Sequence, residues 1–342
     1  MDTNNTISRR RLLRNSALGM GAFGAGIISS PETVSAEHST RDMMSRAGKN
    51  SPREARILSV TIDGVEDKDK AVDKILESLD IMRSNKPDII CLPETFGTFV
   101  ETAEKKSETI IRTFSTLAKE FNSYIICPVH TIIGNKIYNS AVLIDRGGNV
   151  QGQYNKIYPT EGECDSGVTP GSSPPPVFET DIGIIGILIC YDINWMQEWK
   201  SLKDQGAEIV FWPAAYPGTR MLGSYAWIYK YHIVGCPRYN PATIFDMSGD
   251  LIDESGIYTP WACATLNMEK IFCEIDYHVQ KANDIMKKYG ERVLVKFYHE
   301  EDWVTIESRS PDLTIKEIVE EFGLTSHWDY IKRAEKYQNK FR

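Results

Sequence analysis

A chain of 342 residues, 42% hydrophobic and 25% charged, is long enough for one large α/β domain or two ordinary ones and has a soluble globular composition. Its net charge of -8 excludes the broad basic face of a nucleic-acid binder, so polyanions are not expected as partners. The cysteines and histidines show no CxxC or CxH spacing, which excludes a dedicated zinc site, and no metal ligands are assigned.

Charge is uneven along the chain. Residues 1–54 hold eight Lys and Arg against five Asp and Glu, and the remainder is acidic. Arg9, Arg10 and Arg11 precede a weakly apolar stretch from Leu18 to Ile28, followed by small residues at Val34-Ser35-Ala36. That stretch is well short of the roughly 20 residues needed to span a bilayer. Residues 1–36 therefore read as a cleaved export signal, with a periplasmic or extracellular destination and no stable membrane span after its removal. Ser8-Arg9-Arg10-Arg11-Leu12-Leu13-Arg14 resembles the twin-arginine pattern, whose route carries folded proteins. Residues 37–54 are polar and read as a linker.

From residue 55, short β-branched runs alternate with amphipathic helices. "RILSVTID" (56–63) is a strand, and "AVDKILESLDIM" puts Val72, Ile75, Leu76, Leu79 and Met82 on one helical face. "DIICLPE" (88–94) is a second strand. A helix with Ile110, Phe114, Leu117 and Phe121 follows, then a third strand, "YIICPVH" (124–130). This βαβαβ rhythm predicts a sheet covered by helices. "KIYNSAVLID", the turn "RGGN" and "VQGQYNK" read as a hairpin.

The Gly/Ser/Pro stretch "TEGECDSGVTPGSSPPP" begins four residues after Lys156. Loops that long inside a compact domain are uncommon and often functional. "IGIIGILIC" (182–190), a helix from about Asn194 to Gln205, and "AEIVFWPAA" (207–215) resume the alternation, and "YHIVGC", "ATIFDM" and "CATLNMEKIFCEID" add strands. One domain is expected over 55–277, with no second core. Residues 278–342 read as a charged, helical extension that packs on the domain or on a partner subunit. Within it, Thr314 and Glu317 suit a capping box and Gly323 a helix end. His299, Glu300, Glu301 and Asp302 read as a charged turn between two strands.

Three strand ends carry titratable residues. Cys190 closes an apolar run just before a predicted helix, on the rim where α/β sheets bind ligands. Backbone N–H groups at that helix start favour a thiolate and offer donors for an oxyanion. A free thiol is only a few per cent ionised at neutral pH, so a nucleophilic cysteine needs a base or a cation beside it. Glu94 ends "DIICLPE" and Lys156 ends "YNK". Together the three supply base, cation and nucleophile.

"CLPETF", "YNSAVLIDRGGNVQGQYNKIYP", "GILICYDINW" and "GAEIVFWPAA" occur in an order and spacing that resemble the nitrilase or carbon–nitrogen hydrolase superfamily over residues 55 to about 276. The resemblance implies an α/β fold, an α-β-β-α four-layer sandwich of two sheets flanked by helices, assembled as a homodimer or higher homo-oligomer and needing no cofactor. It also implies a reaction on a small-molecule amide, carbamoyl compound or nitrile. Glu94 would be the general base, and Lys156 together with the backbone N–H of Tyr191 would hold the developing oxyanion at the substrate. Cys190 would be the nucleophile that forms a thioester. A second glutamate after the lysine would be Glu163, with Glu161 its rival.

"CYDINW" is similar to the amidase and carbamoylase branches. Met196-Gln197 stand in place of a frequent Pro-Glu, and "YAWIYKY" (225–231) lacks a pattern common in relatives, so substrate is not inherited. Two other readings stay open: a Cys-His hydrolase using His130 or His232, and a non-catalytic scaffold.

Overall fold

The computed structural model describes residues 53–274 and 278–342. The export segment and all but the last two linker residues lie outside these. The strands and helices follow the alternation read from the chain: β1 (Glu54–Val60), α1 (Lys68–Met82), β2 (Ile89–Cys91), α2 (Ala103–Phe121), β3 (Tyr124–Ile133), β4 (Lys136–Ile144) and β5 (Val150–Asn155). A short α3 (Glu161–Asp165) interrupts the Gly/Ser/Pro loop. The pattern then repeats as β6 (Val177–Thr180), β7 (Gly183–Ile187), α4 (Met196–Asp204), β8 (Ile209–Ala214), α5 (Thr219–Tyr229), β9 (His232–Pro237), β10 (Thr243–Phe245), β11 (Leu251–Glu254) and β12 (Trp261–Asn267).

Two six-stranded sheets result, in the orders β12-β1-β2-β3-β4-β5 and β11-β10-β9-β8-β7-β6. Each has three parallel strands, β1-β2-β3 and β7-β8-β9, with antiparallel strands outside them. The two-residue period of a strand sorts its side chains between layers. Ala55, Ile57, Ile89 and Ile126 join the core shared with the second sheet, whereas Leu58, Val60, Ile90 and Ile125 pack with Ile75, Leu79, Phe114 and Leu117 of α1 and α2. Trp199 and Leu202 of α4 and Leu222 and Tyr225 of α5 cover the second sheet. The layers run helix, sheet, sheet, helix, the α-β-β-α sandwich expected.

The C-terminal part differs from a purely helical extension. After β13 (Lys270–Glu274) come α6 (Val279–Tyr289), β14 (Val293–Tyr298), β15 (Trp303–Ser308), α7 (Ile315–Phe322) and α8 (His327–Gln338). β13-β15-β14 form a third, antiparallel sheet. It has a small core of its own around Cys273, Ile285, Val304, Ile306 and Ile318. The apolar alternation of "VTIES" against the helices explains the hairpin. The acidic run from His299 to Asp302 is its turn, and the Thr314–Glu317 capping box and the left-handed Gly323 bound α7.

Candidate active site

Residues that follow the last paired position of a strand leave the core at the rim of the sheet. Glu94 lies just beyond β2, Lys156 directly follows β5, and Cys190 lies just beyond β7. The fold brings these ends together: Glu94, Lys156, Cys190 and Glu163 line one cavity of about 440 Å³, a size suited to a small ligand.

Lys156 is 1% exposed, and its Nζ donates to Glu94 Oε1 at 2.9 Å and to Glu163 Oε2 at 2.7 Å. A buried ammonium without such partners is strongly destabilising. Burial pulls its pKa down, but the adjacent Glu94, Cys190 and Glu163 outweigh burial and hold it above the ordinary lysine value. Lys156 is therefore a fixed cation. Glu163 gains its place from the capping box of α3, in which Glu163 N donates to Thr160 Oγ1 and Thr160 N donates to Glu163 Oε2. Burial works to raise its pKa, yet the Lys156 ammonium and the donors around it keep it below the usual range. Glu161, the rival acid, is exposed on the same short helix.

Cys190 is 7% exposed and its backbone sits in the left-handed region at φ +46°. Thr95, next to Glu94, does the same at φ +42°. Non-glycine residues there cost of order 1–3 kcal/mol and persist only where the surroundings hold them. The surroundings are visible. Trp212 Nε1 donates to the Cys190 carbonyl at 3.0 Å. The buried Asp192 accepts from Ile189 N, Tyr158 N and the Tyr154 hydroxyl at 2.8, 2.9 and 2.7 Å, tying the Cys190 turn to the strand that carries Lys156. Burial pushes Asp192 up to about 7 against those three donors.

Burial, then the Glu94 charge, raises the Cys190 thiol pKa, while Lys156 and the backbone N–H of Ala215 lower it; the net shift is upward. The sulfur is thus a thiol at rest, with the Glu94 and Lys156 charges acting on it in opposite directions. A thiol becomes a nucleophile beside a base, and the Glu94 carboxylate lines the same cavity as Cys190. His130 lines the same cavity, but its Nδ1 meets Thr98 Oγ1 at 3.0 Å and burial pushes it down to about 4. His232 is buried at the opposite end of β9, 3.6 Å from Asp246.

The expectation for Tyr191 concerns its backbone N–H, on the residue directly after Cys190, and not its ring. The ring is 41% exposed, packs edge-on against Trp195, and does not line the cavity. The backbone N–H of Ala215, just past β8, is the one that favours a Cys190 thiolate. Sequence reasoning also missed Asn139, whose Nδ2 donates to Glu94 Oε1 at 2.8 Å and Glu163 Oε1 at 2.7 Å. Nothing in "YNSAV" marks that asparagine. Glu163 did carry a signal, since Thr160-x-x-Glu163 has the spacing of a capping box.

Comparison with known proteins places this arrangement. Residues 56–232 match the family model described as carbon–nitrogen hydrolase. The chain is 30% identical over 160 residues to a deaminated glutathione amidase of Synechocystis sp., covering 41% of this chain and 58% of that protein. It is 36% identical over 115 residues to an N-carbamoylputrescine amidase of Oryza sativa, covering 32% and 38%. The matched region thus spans less than two thirds of these relatives. The crystal structure of an amidase from Nesterenkonia sp. shares the fold, with a TM-score of 0.54 at 18% identity over 63% of this chain and 90% of that one. With its matched segment covering just over half of its length and the sandwich in place, the chain belongs to the carbon–nitrogen hydrolase family.

Proposed function

We propose that the protein hydrolyses a non-peptide C–N bond of a small amide or carbamoyl compound through a thioester on Cys190. The meeting of Glu94, Lys156 and Cys190 around one cavity carries this reading. Glu94 takes the Sγ proton as sulfur attacks the carbonyl carbon, and the carbonyl electrons move to oxygen. Lys156 and the backbone N–H of Tyr191 hold that oxyanion; removal of one such donor costs roughly 2.7–4 kcal/mol of barrier lowering. Glu94 then returns the proton to the departing nitrogen, ammonia or an amine leaves, and the acyl group stays on sulfur. A water molecule that gives its proton to Glu94 cleaves the thioester and restores the thiol. The amidase and carbamoyl amidase among the relatives support the substrate range.

The test is ammonia release from a panel of amides, ureido compounds and nitriles. Cys190→Ala is expected to abolish turnover, and Glu94→Gln to reduce it by about 10²-fold or more. Lys156→Met is expected to reduce it by roughly 10²–10³-fold. Full turnover in Glu94→Gln together with loss in His130→Ala would replace the proposal with a Cys-His mechanism.

A further inference from the structure

Two further cations line the cavity, Lys68 from the first turn of α1 and Arg238 from just after β9. Both reach the turn that carries Glu94. Lys68 Nζ donates to the Thr95 carbonyl at 2.6 Å, Arg238 Nε donates to the Glu94 carbonyl at 2.8 Å, and an Arg238 amino group donates to Thr95 Oγ1. No carboxylate of the described residues lies within ion-pair distance of either cation. The carboxylates of the cavity are otherwise committed: Glu94 and Glu163 are bound by Lys156 and Asn139, and Glu101 is exposed at the rim. An ammonium and a guanidinium are therefore held half-buried at one end of the cavity with donors to spare. The Lys68 ammonium also lies 4.9 Å from the centre of the Phe99 ring.

Half-buried cations without a counter-charge are costly, and the cost falls when a ligand brings the charge in. A guanidinium fork beside an ammonium matches a carboxylate, which it can grip through two parallel hydrogen bonds. Phe99, Val100 and Ala215 line the same cavity and offer apolar wall for a short hydrocarbon spacer. We infer that the substrate is a small anion, an ω-amide or ω-ureido acid whose scissile carbon lies at Cys190 and whose carboxylate is bound by Arg238 and Lys68. The inference rests on the hydrolase reading for the reaction and adds the charge at the far end of the substrate. Desolvation, then Arg238, draws the Lys68 pKa down to about 8 against the opposing Glu94 charge.

The test compares matched compounds that differ only at the tail: 4-carbamoylbutanoate, pentanamide and 4-aminobutanamide, and the ureido series 3-ureidopropanoate, propylurea and 2-aminoethylurea. The carboxylate-tailed members are expected to exceed the methyl-tailed by about tenfold or more in kcat/KM, and the ammonium-tailed to be poorest. In Arg238→Gln and Lys68→Gln the carboxylate-to-methyl ratio should fall toward one, with KM rising for the acids. Because both side chains also brace the Glu94 turn, a purely structural role would lower every substrate alike and leave the ratio unchanged, and that result would overturn the inference.

A second readout does not depend on turnover. Bromoacetamides bearing a butanoate, a butyl or an aminobutyl tail alkylate Cys190, followed by mass spectrometry of the labelled peptide. The butanoate reagent should react fastest, and that advantage should vanish in both variants; equal rates for the three reagents would sink the inference. Turnover abolished by Cys190→Ala but indifferent to tail charge would leave the hydrolase reading standing while removing this one. Tail-dependent labelling without ammonia release from any compound would do the reverse.

Discussion

Asn139 is the residue on which two charges turn. One amide nitrogen donates to both Glu94 and Glu163, so the carboxylates share a donor as well as the Lys156 ammonium. Hydrogen bonds to charged groups contribute about 1.5–3 kcal/mol each. Loss of this amide leaves Lys156, with the Thr160 N–H at Glu163, to offset the two carboxylates, and a carboxylate that loses a donor titrates higher. Asn139→Leu, close in size but without donors, should therefore move the acid limb of the pH–rate profile upward and lower the neutral-pH rate by roughly tenfold or more. The sign follows from Glu163, which is held low partly by this bond, so the ionised cluster would persist only at higher pH in the variant. A uniform fall in rate with the acid limb unmoved would mean that Asn139 acts through packing alone.

At the scale of elements, the loop after β5 shows both the reach and the limits of sequence reasoning. Its length and its place after Lys156 pointed to function, but its glycines and prolines hid the fact that it is pinned. Val168 N donates to the Glu163 carbonyl, Thr169 N to Ile137 O and Gly171 N to Lys156 O, so the segment returns to the strands it left. At Gly171 a Cβ would lie 2.2 Å from the Asn155 carbonyl oxygen, a contact the backbone cannot absorb without moving. Gly171→Ala should displace the loop together with α3, separate Glu163 from Lys156, and cut kcat by about tenfold or more with little loss of overall stability. Thermal denaturation alongside kinetics checks this, and an unaltered rate would show that Glu163 keeps its place without the close approach.

The same contrast runs through the site. Glu94, Lys156 and Cys190 were legible because titratable residues at the ends of apolar strands stand out locally. The places of Asn139, Ala215, Lys68 and Arg238 in the cavity wall were not, because that wall forms where separate strands and a helix meet. The left-handed backbone at Cys190 and Thr95 was likewise invisible, since neither residue type favours it.

For the whole molecule, the junction between sandwich and C-terminal part is built on aromatic rings around the Lys230 amine, whose pKa burial draws down to about 6. Lys230, which ends α5, places its Nζ 3.6 Å from the centre of the Trp227 ring, 4.1 Å from Phe272 and 3.7 Å from Trp303. Those rings come from α5, β13 and β15, so this one contact joins the second sheet's helix layer to the third sheet. Trp303 is central to it, stacked on Trp227 at 5.0 Å and against His327 of α8 at 3.7 Å. Polar ties flank the rings, Lys270 to Asp246 at 2.8 Å and Lys332 to Asp204 at 3.3 Å, but exposed pairs of the second kind contribute under about 1 kcal/mol. The aromatic contacts must then supply most of the cohesion. Trp303→Ala should destabilise the protein by about 3 kcal/mol, whereas Trp303→Phe, which keeps a ring over Lys230, should lose less than half of that. Hydrogen exchange distinguishes loosening of the junction from global loss: amides of β14, β15 and α8 should exchange faster in Trp303→Ala while those of β1 to β3 stay protected. Equal acceleration across both regions would mean that the C-terminal part and the sandwich unfold as one unit, with Trp303 merely one of its core residues.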